Sequence, residues 1–235
     1  MSVRTGSMDT VVAMLAQRAY GCECAALFGI QYQYVSSHCE SCMNDRMAWI
    51  ESEYGSRRGL IRLARANITR MSGGFSACQH IDFARISRLV FVCKGNICRS
   101  AYAGAYARQL GMPVASCGIE AREGDSANPR VLGIARDRHI DLSAHRTQRL
   151  DQQHFGGGDL LVGMEPAHLV PMRVAAGSAQ LTLLGLWGTR QRPYLHDPYS
   201  ASDAYLLRCL VYIETCVRVL VDEMRTSQAV RRKPW

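Results

Sequence analysis

Apolar residues along this chain fall into short unbroken runs and longer periodic ones. Leu89 to Val92 is an uninterrupted aliphatic and aromatic stretch, the pattern of a strand buried on both faces. It breaks at Cys93 and a glycine-containing turn, and from Ser100 to Leu110 the residues are good or tolerable helix formers, stopped by Gly111 and Pro113. Pro113 to Ile119, Asp159 to Met164 and Gln180 to Leu186 read as three further strands, with helices over Val131 to His139 and Pro166 to Ala175. In Ala201 to Arg225, Tyr205, Leu206, Cys209, Leu210, Tyr212, Ile213, Cys216, Val217, Leu220 and Val221 recur at three and four, which predicts a helix covering a core. The alternation predicts an α/β fold, a four-stranded parallel sheet flanked by helices on both faces.

Before residue 88 the pattern is weaker. Asp9-Thr10 can cap a helix running to Arg18, and Met47 to Tyr54 and Leu60 to Met71 have helical character, with Arg62, Arg65 and Arg70 on polar positions. Ser72-Gly73-Gly74 reads as a linker. The expected organisation is an N-terminal extension over 1–87, mainly helical or partly disordered, an α/β domain over 88–228 and a tail over 229–235. An alternative reading starts the protein at Met71.

Composition narrows the function. The chain has 235 residues, of which 48% are apolar, enough for a real core. Its net charge is +8, almost all from arginine; Lys94 and Lys233 are its lysines. No dense basic run is interleaved with aromatics, so scattered solvated arginines are expected and no nucleic acid. Gly55 to Arg70 also allows contact with a membrane or an acidic partner, set against an ordinary solvated helix, which is the reading kept. Ten cysteines do not make a disulfide scaffold in a chain of this size. Val11 to Ala16 is interrupted by Gln17 and Arg18 before it resembles a secretion signal, and no stretch approaches a membrane span, so a reducing cytoplasmic setting is expected. Cys22, Cys24, Cys39 and Cys42, with His38, could bind zinc, but their spacing matches no familiar module; unliganded thiols are preferred, with no metal or cofactor.

The chemistry is expected in the turn after the first strand. In a strand-loop-helix arrangement, the loop N–H groups and the positive end of the helix dipole converge on one point, a natural oxyanion site. Cys93 opens this loop and Arg99 closes it. A helix N-terminus and a guanidinium both favour a thiolate, and the arginine fork can clamp phosphoryl oxygens while sulfur attacks phosphorus. The implied reaction is phosphate-ester hydrolysis through a phosphocysteine. Late in the chain, His196-Asp197-Pro198-Tyr199 puts a carboxylate on a proline-stiffened loop, the group needed to protonate a leaving oxygen.

With Cys93-Lys94-Gly95-Asn96-Ile97-Cys98-Arg99-Ser100 and Asp197-Pro198-Tyr199 in hand, the chain resembles the low-molecular-weight protein tyrosine phosphatase family from Leu89 to about Arg225. Ser116-Cys117-Gly118, Asn128-Pro129-Arg130, His139 to His145 and Asp159 to Met164 fall in the family's order. Ala101 stands where proline is usual and Gly104 where glutamate is common, changes expected to soften the first helix. The resemblance implies Cys93 as nucleophile, Arg99 as phosphoryl clamp, Asp197 as acid and then base, and Ser100 as donor to the departing sulfur. Lys94, Gly95, Asn96, Ile97 and Cys98 complete the substrate loop. It also implies that Asn96, in a left-handed conformation, ties the loop to Ser116 and His145. Tyr199 either walls the cleft or packs. Cys98 either forms a reversible disulfide with Cys93 or is a small buried hydrophobe.

The substrate so implied is phosphotyrosine on a protein, such as a bacterial tyrosine kinase of polysaccharide export. Arg122 and Arg190 are expected to favour acidic flanking residues. Three alternatives stand beside it. Phosphoarginine hydrolysis is disfavoured because Ile97 stands where related enzymes carry threonine. Arsenate reduction needs resolving cysteines, and Leu160 to Ala179 holds none. A binding-only module would leave the Cys93, Arg99 and Asp197 set without a task.

Overall fold

The computed structural model describes residues 44–231. The proposed helix from Asp9, the Val11 to Ala16 run, the cysteines with His38 and the chain end beyond 231 lie outside these residues. From Ile50 onward the chain forms one compact unit. Its elements are α1 (44–54), α2 (Arg57–Met71), β1 (Arg88–Cys93), α3 (Arg99–Gln109), β2 (Val114–Gly118), α4 (Pro129–Asp137), β3 (Asp159–Gly163), α5 (Leu169–Ala175), β4 (Gln180–Leu183) and α6 (Asp203–Arg231).

The four strands are all parallel, in the order β2-β1-β3-β4. A central parallel strand is covered on both faces, which is why β1 is a continuous apolar run: Leu89 to Val92 are fully buried. Leu89, Phe91 and Cys93 face a core built with α3, α4 and α6, and Val90 and Val92 face Leu150, Met172 and Ala176. Strand order reverses beside β1, so its carboxyl end opens at the switch point where ligands of such sheets bind.

Element ends shift where local hydrogen bonding competes. A 3₁₀ turn over Pro166–His168 precedes α5, and the expected fourth strand stops at Leu183, with a 3₁₀ turn over Leu184–Leu186. Ala101 and Gly104, the two departures in the helix after the loop, lie on α3. Arg99 to Ala107 are all buried, and a Cβ at Gly104 would lie 3.5 Å from Ser116 Cβ, so the small residues let α3 lie close against β2.

The region before β1 also departs from the expected linker. Gly74 N–H donates to Thr69 O at 2.8 Å and Gly73 N–H to Arg70 O at 3.0 Å, the paired bonds of a Schellman stop. Ser72-Gly73-Gly74 is therefore the end of α2. At the other end the Ser56 hydroxyl accepts from Gly59 N–H at 2.9 Å and caps the helix. Leu63 and Ala66 of α2 join Phe75, Cys78, Leu169, Leu183, Leu186 and Tyr194 in a third apolar cluster. A buried leucine of this kind contributes roughly 1.5–3 kcal/mol, enough to hold α2 on the domain.

Candidate active site

The site begins where β1 ends. Cys93 pairs with Gly118 in the register, and the chain then turns through Lys94 to Cys98 into α3. No side chain caps α3, so its first N–H groups are not taken by a cap. Ile119 N–H donates to Cys93 O and Glu120 N–H to Lys94 O, which lays the segment after β2 against the loop. A Cβ on Gly118 would come within 2.8 Å of Lys94 O and 2.9 Å of Asn96 N, so only glycine permits this approach.

Asn96 organises the turn. Its φ is +55°, a left-handed conformation that asparagine tolerates better than most residues. Its Nδ2 donates to Ser100 Oγ at 2.9 Å and Ser116 Oγ at 3.0 Å, and its Oδ1 accepts from Gln148 N–H at 3.0 Å. His145 Nε2 lies 2.7 Å from Asn96 O. Burial holds His145 below the ordinary imidazole range despite that bond, so the ring is neutral and donates from Nε2. The residues expected to form this network are brought together.

At its centre Cys93 Sγ is 2.9 Å from Ser100 Oγ and 3.3 Å from Asn96 N–H. At Cys98 and Cys117 burial pushes each thiol up to about 12, with the neighbouring Cys93 adding to it. Both are kept as thiols and are poor nucleophiles, Cys98 at the end of the loop and Cys117 on β2.

Arg99 is 1% exposed, and three groups aim its guanidinium. Nη1 donates to Leu195 O at 2.7 Å and to Glu165 Oε1 at 3.3 Å, and Nη2 lies 3.0 Å from Asp197 Oδ2. Burial opposes its charge, but Asp197, Cys93 and Glu165 outweigh that and hold it firmly protonated. Its Nε is buried with no hydrogen-bond partner, a donor in hand for an oxyanion. Glu165 is fixed in turn. Met164 N–H donates to His168 Nδ1 at 3.2 Å, which leaves His168 Nε2–H to donate to Glu165 Oε1 at 3.1 Å. Burial works to raise the Glu165 carboxyl, yet His168 and Arg99 prevail and hold it at about 2.

Asp197 and Tyr199 lie at the mouth, with the Asp197 side chain 39% and Tyr199 60% exposed. Lys94 points outward and pairs with Glu120 at 3.3 Å. Ile97 is partly buried against the main core. The residues expected at the loop, the acid segment and the supporting network therefore converge on the carboxyl end of β1. Sequence reasoning missed Glu165, His168 and the Leu195 carbonyl. The signal was Met164-Glu165-Pro166-Ala167-His168, an acid and a histidine three apart just past the carboxyl end of a parallel strand. The arrangement can accommodate a multiply charged oxyanion over a sulfur, with a carboxylate on the solvent side. Among the described residues no cluster of histidine, cysteine and carboxylate side chains suits a metal.

Comparison with known proteins gives the family of the domain. A family model described as low molecular weight phosphotyrosine protein phosphatase matches residues 88–232. A probable low molecular weight protein-tyrosine-phosphatase, EpsP of Ralstonia nicotianae, is 39% identical over 144 residues, covering 60% of this chain and 97% of that protein. A protein-arginine-phosphatase of Geobacillus stearothermophilus is 26% identical over 146 residues, covering 60% of this chain and 98% of its own length. The crystal structure of the tyrosine phosphatase Wzb from Escherichia coli K30 in complex with sulphate shares the fold, with a TM-score of 0.51 at 22% identity, over 59% of this chain and 99% of that one. With more than half of its length matched by one family model and nearly all of a 39%-identical relative covered, the chain belongs to the low molecular weight phosphotyrosine protein phosphatase family.

Proposed function

We propose that this protein hydrolyses phosphotyrosine in a protein substrate through a phosphocysteine on Cys93. The Cys93 thiolate attacks phosphorus as the tyrosine oxygen departs. The three peripheral oxygens rest on the loop N–H groups and the Arg99 fork, which stabilises the charge spread over them. Asp197 gives its proton to the departing phenolate, then takes one from the water that opens the phosphocysteine, while the Ser100 hydroxyl, 2.9 Å from the sulfur, supports it as leaving group. Arg99 carries this reading. A guanidinium that is 1% exposed, with three fixed partners and one unused donor beside a thiol, is costly unless it serves an anion.

Tyr199 serves as an exposed wall for the substrate ring. A tyrosine kinase of polysaccharide export is the proposed protein substrate, in a cytoplasmic setting whose reducing conditions suit free thiols at Cys93 and Cys98. No helix among the described residues is long and apolar enough to cross a membrane. Phosphoarginine is the weaker substrate, because Ile97 offers the guanidino N–H groups no hydroxyl.

The test is hydrolysis of phosphotyrosine, phosphoserine and phosphoarginine peptides by the full chain and by Cys93→Ser. Phosphotyrosine turnover absent from Cys93→Ser is the expected result. Turnover that survives the substitution, or a preference for phosphoarginine, would overturn the reading.

A further inference from the structure

Residues before Arg88 lie outside the family match, yet they reach the residue next to the proposed acid. His196 immediately precedes Asp197 and is half-buried. Its Nε2 is 3.1 Å from the hydroxyl of Ser56, the residue that caps α2, and its Nδ1 is 2.9 Å from Tyr194 OH. Tyr194 OH in turn accepts from Arg62 Nη1 at 3.3 Å, a second side chain of α2. The His196 ring also lies against Tyr194 and Tyr205, with centroids 6.0 Å away in each case, and Tyr205 OH donates to His196 O at 3.3 Å.

The turn between α1 and α2 is seated flush on this imidazole. Gly55 has φ +76°, and a Cβ there would come within 2.4 Å of His196 Cδ2 and 2.8 Å of Tyr205 Cε1. Burial and the Arg99 charge hold His196 below the ordinary imidazole range, so the ring is neutral, with one donor and one acceptor nitrogen. Ser56 and Tyr194 each carry a hydroxyl that can donate or accept, so both bonds form in either tautomer. Both chain neighbours of His196 meet the same guanidinium: Leu195 through its carbonyl and Asp197 through its carboxylate. By contrast, among the described residues the Asp197 carboxylate itself is held by Arg99 and by a bond from Tyr199 N–H at 3.3 Å.

We propose that the segment 55–62, acting through Ser56 and His196, is a positioning element of the active site that sets the Asp197 carboxyl for proton transfer to the leaving oxygen. The inference rests on the phosphocysteine reading above. Its role is confined to the proton-transfer part of the reaction. The thiol and the loop keep their own supports in Asn96 and Ser116, and the Arg99 clamp keeps Glu165 apart from the Leu195 carbonyl and Asp197 carboxylate that flank His196.

This makes a prediction that loss of packing alone does not. Phenyl phosphate needs a proton on its departing oxygen, whereas 2,4-dinitrophenyl phosphate expels a stable phenolate without one. In the full chain, Ser56→Gly removes the hydroxyl while leaving a residue tolerated at a helix cap. It should lower kcat/KM for phenyl phosphate by about 5-fold or more, while kcat/KM for the dinitrophenyl ester stays within about 2-fold. His196→Phe should show the same selectivity more strongly, and His196→Gln, which can still reach Ser56, should recover part of it. In an Asp197→Asn background Ser56→Gly should have no further effect, because the two act on one step.

Equal losses on both esters, no loss on either, or an undiminished effect in the Asp197→Asn background would each overturn the proposal. Failure of the underlying reading looks different. The wild-type chain would then turn over neither ester, or Cys93→Ser would turn over both, and either result removes the proposal with it.

Discussion

Glu165 Oε1 lies 3.3 Å from Arg99 Nη1, and the same oxygen takes the hydrogen bond from His168. One carboxylate thus joins the buried guanidinium to a histidine anchored on the backbone of Met164, so Arg99 is aimed before any ligand arrives. Glu165→Ala leaves that charge short of a partner. It should destabilise the protein by about 2–4 kcal/mol and weaken inhibition by inorganic phosphate, read by urea unfolding and by competitive inhibition.

The same carboxylate gives stability a defined acid limb. Its folded value is about 2, against 4.5 for an ordinary glutamate. A depressed value contributes stability that is complete above pH 4.5 and is lost as pH falls toward 2. Glu165→Gln, which cannot titrate, should therefore be less stable than wild type at pH 6 and approach it as pH falls. A stability difference that stays constant from pH 6 to the acid limit would show that the ion pair contributes nothing.

Ser100 stands 2.9 Å from Cys93 Sγ, a position suited to the second half of the reaction. Ser100→Ala should keep the initial burst of phenol from an aryl phosphate and slow the steady state by about 10-fold or more. Rapid-mixing kinetics would separate the two. A lost burst with a steady rate that now follows the first step would place Ser100 in that step instead.

Asn96 combines a left-handed backbone with bonds to Ser100, Ser116 and Gln148. Asn96→Ala forfeits those side-chain bonds and adds backbone strain, so a loss of about 2–4 kcal/mol is expected, together with weaker phosphate binding. Asn96→Gly, which restores the backbone freedom alone, should recover the smaller part. Full recovery by glycine would mean that the side-chain network is dispensable.

Leu63 anchors α2 in the cluster with Leu183, Leu186 and Tyr194. Leu63→Ala should cost about 2–4 kcal/mol in chemical unfolding. A chain starting at Met71 should melt at lower temperature than the full chain. Unchanged melting would mean that α2 adds nothing to the stability of the domain.

What was legible in the sequence follows from how local each signal is. The run from Arg88 to Ser100 contains its own strand, turn and helix start, so the loop and its cysteine and arginine could be read directly. The long periodicity after Ala201 likewise announces α6. Glu165 and His168 were passed over because their value depends on Arg99 arriving from another strand end, a meeting made only by the β1–β3 pairing. The Leu195 carbonyl was invisible for a plainer reason: every residue has one, and only the path of the chain aims it. The Ser72-Gly73-Gly74 stretch shows the reverse error, since glycine after a helix serves a linker and a helix stop equally well, and the bonds to Thr69 and Arg70 choose the stop.

Gly118 touches no part of the phosphoryl cradle with a side chain, because it has none, yet any Cβ there would press on Lys94 O and Asn96 N. In a saturation library selected for turnover, this position should tolerate glycine alone, as strictly as Cys93 tolerates cysteine. A survey that ranks positions by intolerance would then count it among the chemical residues. Its contribution is an empty volume: the space it leaves unfilled is what lets the second strand's exit lie against the loop and hold its shape.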